Sequence, residues 1–95
     1  MAKVVWSPAA LADTEAIAEY ISRDSADQAS LLITRMIHAT RRLSAFPRLG
    51  RSIPEIADPT CREIFVGAYR VMYRLLGDEV RITGVAHGAR RRRSV

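Results

Sequence analysis

The sequence predicts an α+β domain in which a two-helix antiparallel hairpin packs on one face of a small antiparallel β-sheet. Three runs rich in Val, Ile, Tyr and Phe occupy the C-terminal half, separated by the turn dipeptides Gly67-Ala68 and Gly77-Asp78; this pattern is typical of a β-meander. The N-terminal half contains two helical patterns whose apolar stripes can cover that sheet. The length of 95 residues fits one domain, residues 1–89, followed by a basic tail at 90–95.

The first strand and both helices are predicted in the N-terminal half. The β-prone run Lys3–Trp6 is predicted to add a strand to the sheet, but the sequence does not indicate which strand it pairs with. Ser7-Pro8 combines a favourable N-cap with a proline suited to the first helical position, which predicts a helix to about Ser22. After a break at Arg23-Asp24-Ser25, a second helix is predicted from about Ala26 to Phe46, followed by a loop that contains Pro and Gly.

The meander is predicted at Arg62–Val66, Tyr69–Leu76 and Glu79–His87. Two-residue loops with glycine in the first central position suit type II′ turns, and they also fix the register of the strands. The apolar face then consists of Ile64, Val66, Tyr69, Val71, Tyr73, Leu75, Val80, Ile82 and Ala86. The other face consists of Glu63, Phe65, Arg70, Met72, Arg74, Arg81, Thr83, Val85 and His87.

The arginines of the second face have two interpretations. Arg74 and Arg81 lie opposite each other in this register, with Arg70 and His87 nearby, and facing like charges destabilise a sheet. In the first interpretation the arginines extend into water while their stems cover neighbouring apolar side chains. In the second, the cluster is a binding site for an anion or an acidic partner.

Charge and cysteine content restrict the class of protein further. The formal net charge is +5, and Arg90, Arg91, Arg92 and Arg93 supply four of these charges, which leaves 5 − 4 = +1 for the rest of the chain. The single Cys61 has no internal disulfide partner, so we expect a cytoplasmic protein. No apolar run approaches the roughly 20 residues of a membrane helix. Neither cysteine nor histidine spacing indicates a metal site, and no cofactor is expected.

Several motifs together resemble the RelE/ParE superfamily of bacterial toxins over nearly the whole chain. They are the N-terminal WSP, the D-x-E-x-I-x-x-Y-I pattern from Asp13 to Ile21, the loop FPRLGRSIPE, the segment REIFVGAYRVMYRL and the ending VAHGARR. The resemblance implies a two-helix hairpin on an antiparallel sheet. It also implies a toxin that is neutralised by an antitoxin encoded beside it.

The superfamily has two main activities, and the resemblance assigns candidate residues to one of them. RelE-like members cut messenger RNA on the ribosome, and here Arg70 and His87 occupy places that look like their arginine and C-terminal histidine, with Arg62 and Tyr73 as further candidates. An arginine can stabilise charge on the scissile phosphate, and a histidine can transfer a proton. ParE-like members lack that catalytic set and poison DNA gyrase.

Other features favour the ParE branch. Lys3 is the only lysine, Gly88 follows His87 where some ribonucleases carry a tyrosine, and the body of the chain is nearly neutral, a poor match to a protein that docks on ribosomal RNA. The PRLGR-x-I-P-E loop and the V-x-H-G-A-R ending also resemble ParE. We therefore predict a ParE-type toxin that inhibits DNA gyrase and has no catalytic residues; the alternatives are a ribosome-dependent endoribonuclease and an inactive member that only binds antitoxin.

The predicted partners are an acidic, partly disordered antitoxin and the gyrase target. An acidic segment that folds on the toxin would pair with its arginines and cover its exposed apolar residues. The residues predicted to contact the antitoxin are Leu31, Arg35, Arg42, Phe65, Arg70, Met72, Arg74 and Arg81. The residues predicted to contact the target are Arg90, Arg91, Arg92 and Arg93.

Overall fold

The computed structural model describes residues 1–88. Two helices lie against one face of a five-stranded sheet, which confirms the predicted α+β class. The elements in chain order are β1 (Lys3–Trp6), α1 (Pro8–Ser22), α2 (Ala26–Ala45), β2 (Arg51–Ser52), β3 (Cys61–Val66), β4 (Tyr69–Leu76) and β5 (Glu79–His87). The predicted target-binding arginines at 90–93 lie outside the described residues.

Each helix begins at a serine that caps it. The Ser7 hydroxyl accepts a hydrogen bond from the Ala10 N–H at 3.0 Å, and Pro8 occupies the first turn of α1. The Ser25 hydroxyl accepts from the Gln28 N–H at 3.1 Å and caps α2. Side chains of this type satisfy backbone donors that the first helical turn leaves without a partner. Both predicted helix starts are therefore confirmed.

The sheet has the strand order β1-β5-β4-β3-β2. β1 lies parallel to β5, whereas the other neighbouring strands are antiparallel. The sheet is therefore mixed, whereas an antiparallel sheet was predicted. Parallel neighbours need a long crossover connection, and here the intervening chain includes both helices and the rest of the sheet. β5, the last strand within residues 1–88, thus lies between β1 and β4.

The register of the meander agrees with the prediction up to Ile82. Ile64 pairs with Val71, and Tyr73 pairs with both Arg62 and Ile82. Gly67 and Gly77 have φ values of +57° and +61°, as the first central position of a type II′ turn requires. No non-glycine residue among residues 1–88 has positive φ.

A β-bulge changes the register in the second half of β5. Tyr73 pairs with Ile82, but Met72 pairs with Gly84, so Thr83 is one extra residue in β5. The residues that follow therefore point to the faces opposite to those predicted. The corrections concern Val85, which lies in the core, Ala86, which pairs with Arg70, and His87, which pairs with Tyr69.

The helices cover one face of the sheet, and a loop covers part of the other face. The helices cover one face and enclose a core that includes Ala10, Met36, Leu43, Val66, Val71, Tyr73, Val80, Ile82 and Val85. The chain between α2 and β3 covers part of the opposite face, which we call the outer face, and its Ile53 is buried. The outer face is therefore closed to solvent around Arg70 and Met72, both of which are buried.

Candidate functional site

Arg70 lies at the centre of a buried ion-pair cluster on the outer face. Its Nε donates to Glu63 Oε1 at 2.7 Å, and its two terminal nitrogens donate to the two Glu55 oxygens at 3.0 and 3.2 Å. Arg51 Nε donates to the other Glu63 oxygen at 2.8 Å. The Arg70 and Glu63 side chains retain only 5% and 0% of their accessible surface, so this cluster holds the loop that carries Glu55 against the sheet.

The cluster also keeps the Arg70 guanidinium charged. Burial opposes the charged form, but hydrogen bonds and charge attraction from Glu55 and Glu63 raise the pKa of Arg70 above its ordinary value. Two carboxylates therefore occupy the donors that a phosphate would need. The first interpretation of the outer-face arginines, with their heads in water, is wrong for Arg70.

Tyr73 and Arg62 form a second polar cluster, which reaches the loop after α2. The Tyr73 hydroxyl donates to the Pro47 carbonyl at 2.7 Å and accepts from the Gly50 N–H at 2.9 Å. Arg62 Nη1 donates to the Gly50 carbonyl at 2.7 Å. A Cβ atom at Gly50 would lie 2.5 Å from the Glu63 carbonyl oxygen, so only glycine fits this approach. Both ribonuclease candidates thus make contacts that hold the loop.

His87 lies on the helix side of the sheet, away from Arg70. Its ring contacts the Tyr69 ring edge-to-face, with ring centroids 5.6 Å apart. Here the helix α1 runs beside β5 beyond the end of β1, and Asp13 Oδ2 accepts a hydrogen bond from the Val85 N–H at 3.0 Å. The groove between these elements has a volume of about 590 Å³ and is lined by Asp13, Ala16, Ile17, Tyr20, Tyr69, Val85, Ala86 and His87.

The remaining outer-face residues of the predicted antitoxin site are accessible. Arg74 and Arg81 pair across β4 and β5 as predicted, and each has an acidic neighbour: Asp58 lies 3.6 Å from Arg74, and Glu79 lies 2.8 Å from Arg81. These neighbours offset the repulsion between facing arginines. Phe65 is half exposed, and the Arg51 guanidinium lies 5.3 Å from the centre of its ring.

The α2 residues of the predicted antitoxin site are also accessible. Leu31, Arg35 and Arg42 are exposed on the side of α2 opposite its buried residues, which are Ala29, Met36, Thr40 and Leu43. Among residues 1–88, neither Arg35 nor Arg42 has an ion-pair partner. These two arginines differ in this respect from Arg70, Arg74 and Arg81.

The structure therefore divides the predicted site residues among four places. Arg62, Arg70 and Tyr73 all contact the chain between α2 and β3. His87 lies in the α1–β5 groove, and Leu31, Arg35 and Arg42 lie on α2. The exposed part of the outer face carries Phe65, Arg74 and Arg81. Sequence patterns did not identify the hydrogen bonds of Glu55 and Glu63 with Arg70, or that of Asp13 with the Val85 N–H. The predicted register already places Glu63 on the same face as Arg70, but it did not indicate the ion pair between them. Glu55, which follows Pro54, reaches Arg70 only because the loop folds over the outer face.

Residues 1–88 contain neither a metal-binding cluster nor a membrane-crossing helix. No group of three or more His, Cys, Asp and Glu side chains has an arrangement able to hold a metal ion in this part of the chain. Neither α1 nor α2 combines the length and apolar character that a membrane-crossing helix needs.

Comparison with known proteins gives the family. The family model described as "ParE toxin of type II toxin-antitoxin system, parDE" matches residues 4–92. The chain belongs to the ParE toxin family. Among its relatives, Toxin RelE2 of Caulobacter vibrioides is 36% identical over 91 residues, which cover 95% of this chain and 99% of that protein. Toxin ParE1 of Mycobacterium tuberculosis is 35% identical over 77 residues, which cover 80% and 78%.

A solved structure agrees with this ParE-family fold. The structure titled "Chromosomal ParDE TA system from P. aeruginosa" superposes with a TM-score of 0.75 at 20% sequence identity. The match covers 92% of this ParE-family chain and 96% of the other. The predicted superfamily is thus confirmed, and the chain is a ParE/RelE-family toxin of a type II toxin–antitoxin system. Its relatives carry names from both branches of the superfamily.

Proposed function

We propose that this ParE-family toxin acts by binding DNA gyrase and that a cognate antitoxin neutralises it. One observation carries the choice of a binding toxin over a ribonuclease. Arg70 and His87, the two residues that would cleave RNA, lie on opposite faces of the sheet, because the bulge at Thr83 places Ala86 and not His87 on the face of Arg70.

The geometry of each residue supports the same choice. A general acid or base must come within about 2.6–3.2 Å of the atom that exchanges the proton, and a stabilising cation must contact the same phosphate. His87 lies against Tyr69 on the helix side. Arg70 is bound to Glu55 and Glu63 on the outer face. An RNA phosphate would have to displace two carboxylates from Arg70 and would still not meet His87.

The proposed antitoxin is an acidic, partly disordered segment that folds on the toxin. The superposed structure is described as a ParDE toxin–antitoxin system, and this description motivates the proposal for the present chain. The accessible members of the predicted contact set are Leu31, Arg35, Arg42, Phe65, Arg74 and Arg81. Arg70 and Met72 are buried, so we exclude them from the proposed contact surface.

The proposed gyrase contact is the tail at 90–93. Arg90, Arg91, Arg92 and Arg93 hold four of the five net positive charges of the chain. A concentrated charge of one sign attracts an acidic or DNA-bound target over several ångströms. A chain stopped after Ala89 should therefore be far less toxic than the full chain.

The test is growth arrest after induced expression of wild type, His87→Ala and His87→Gln. A gyrase poison should keep its toxicity in both variants, with filamentous cells and gyrase-dependent DNA breaks. A ribonuclease would lose roughly 10²–10⁴-fold in rate with either change, because glutamine has an amide of similar size but cannot transfer a proton at neutral pH. Loss of toxicity in both folded variants, together with cleaved messages on the ribosome in wild type, would overturn the proposal.

A further inference from the structure

The arginines of the described chain fall into two groups of five. The first group has side-chain hydrogen bonds or ion pairs within residues 1–88 and comprises Arg51, Arg62, Arg70, Arg74 and Arg81. The second has neither within these residues and comprises Arg23, Arg35, Arg41, Arg42 and Arg48. The first group lies in or beside the sheet, so the positive charge of the sheet is largely compensated by the protein itself.

Three arginines of the second group form one surface on α2. Arg35, Arg41 and Arg42 are exposed and project from the side opposite the buried residues of the helix, together with His38; we call this surface the α2 arginine face. Residues Arg35 and Arg42 are separated by about 10.5 Å along the helix axis at 1.5 Å per residue. No acidic residue occurs between positions 28 and 54 of the sequence, so α2 has no acidic residue of its own after Asp27 in its first turn.

We propose that the α2 arginine face binds the phosphate backbone of duplex DNA. Duplex DNA carries one phosphate charge per about 1.7 Å of its axis, so several phosphates lie within reach of a 10 Å row of arginines. The choice of DNA over RNA rests on the proposed function, because gyrase acts on duplex DNA. The toxin would then contact the DNA that gyrase holds as well as the enzyme.

The surface favours phosphates over an acidic protein segment. Protein interfaces depend on a few aromatic or apolar anchors that become fully buried. The α2 arginine face has no aromatic residue, and the exposed apolar residues near it, Leu31 and Ile37, lie at its N-terminal end and its flank. Phosphate contacts need only positioned cations and carry no requirement for apolar anchors. Arg35 and Arg42 also belong to the antitoxin contact set proposed above. An acidic antitoxin segment would therefore compete with DNA for this face, and the test must distinguish the two occupants.

The test measures binding of a fluorescently labelled 20-base-pair duplex to the full chain by anisotropy over a range of salt concentrations. The variant Arg35→Gln/Arg42→Gln removes two charges from the α2 arginine face. Its matched control, Arg74→Gln/Arg81→Gln, removes two charges that have acidic neighbours. Both double variants are measured a second time in a chain in which Arg90, Arg91, Arg92 and Arg93 are all changed to Gln. This background removes the attraction of the tail for DNA. Circular dichroism checks the fold of each variant.

The α2 variant should bind the duplex more weakly than the control, and its slope of log affinity against log salt should be smaller by about 1.8, corresponding to two lost phosphate contacts. Equal affinities and slopes for the two pairs would overturn the inference. The inference would also be overturned if the α2 variant bound DNA as well as wild type does but no longer co-purified with the product of the adjacent gene, because the face would then bind the antitoxin and not DNA. A failure of this kind leaves the gyrase proposal standing, because the His87 experiment tests that proposal without measuring DNA binding.

Discussion

The Tyr73 hydroxyl offers a sharp test of how the loop after α2 is held. Tyr73→Phe keeps the buried ring but removes the group that donates to Pro47 and accepts from Gly50. Because Tyr73 is 1% exposed and Gly50 is buried, water does not readily replace these partners. An unsatisfied buried polar group costs about 1–3 kcal/mol. At roughly 4–8 °C per kcal/mol for a domain of this size, a loss of about 2 kcal/mol lowers Tm by roughly 8–16 °C.

Thermal and urea unfolding, followed by circular dichroism, measure this loss. The matched control is Tyr20→Phe, since Tyr20 is 68% exposed and the same chemical change there should stay within about 0.5 kcal/mol. Tyr73→Ala removes the ring as well and should cost at least about 3–5 kcal/mol. If Tyr73→Phe were as stable as Tyr20→Phe, the hydroxyl would not hold the loop.

Alkaline pH tests the same hydroxyl independently. Burial raises the pKa of Tyr73 above its ordinary value of 10.0, although the Gly50 N–H and the charge of Arg62 act in the opposite direction. The unfolded chain therefore releases this proton first, and the free energy of unfolding should fall as pH rises from about 10 through the higher folded pKa. Below pH 10 this contribution is fully present. Tyr73→Phe should lack this part of the alkaline decline, and an identical decline in both proteins would contradict the assignment.

Two further predictions concern the loop and its charges. Glu63→Ala leaves the buried Arg70 without one of its carboxylates and should cost about 3–5 kcal/mol of unfolding free energy. The control Glu79→Ala breaks the more exposed pair with Arg81 and should cost at most about 1 kcal/mol. Equal losses of the two variants in urea unfolding would refute the importance of the buried cluster. Hydrogen bonds from the Thr60 side chain and backbone hold the pKa of Asp58 below its ordinary value of 3.8, so Thr60→Val should raise the Asp58 pKa in an NMR titration. The Asp58 carboxylate should lose its stabilising contribution as pH falls through its lowered pKa. An unchanged Asp58 titration in Thr60→Val would refute the role of the Thr60 hydroxyl.

Local patterns were sufficient to predict most elements of the fold. Ser7-Pro8 and the break at Arg23-Asp24-Ser25 mark the helix starts, and Gly67 and Gly77 mark the two hairpin turns, because capping and turn geometry depend on a few adjacent residues. The position of β1 could not be predicted in this way. Its parallel pairing with β5 joins residues more than seventy positions apart, and no short-range pattern specifies such a pair.

The candidate site was harder to predict because one residue reverses the later register. Gly84 in the interior of a strand is a known mark of a bulge, and it was the one available indication that Thr83 would be an extra residue. Without the bulge, Arg70 and His87 share a face and suggest a catalytic pair; with it, they lie on opposite faces. The path of the loop was a second obstacle, since Glu55 contacts Arg70 only because the chain between α2 and β3 folds over the outer face.

The central position of β5 has a consequence for the order in which the chain folds. β5 is the last strand within residues 1–88, yet it lies between β1 and β4. Neither β1 nor the exposed edge of β4 can therefore pair until residues 79–87 are available. During synthesis, the helices and the earlier strands therefore expose apolar surface until β5 has been made. The pairing of strands that are far apart in sequence slows folding and favours aggregation. We therefore expect a nascent chain to become a folded toxin only after residues 79–87 have been translated, and a fragment that ends before β5 should be inactive.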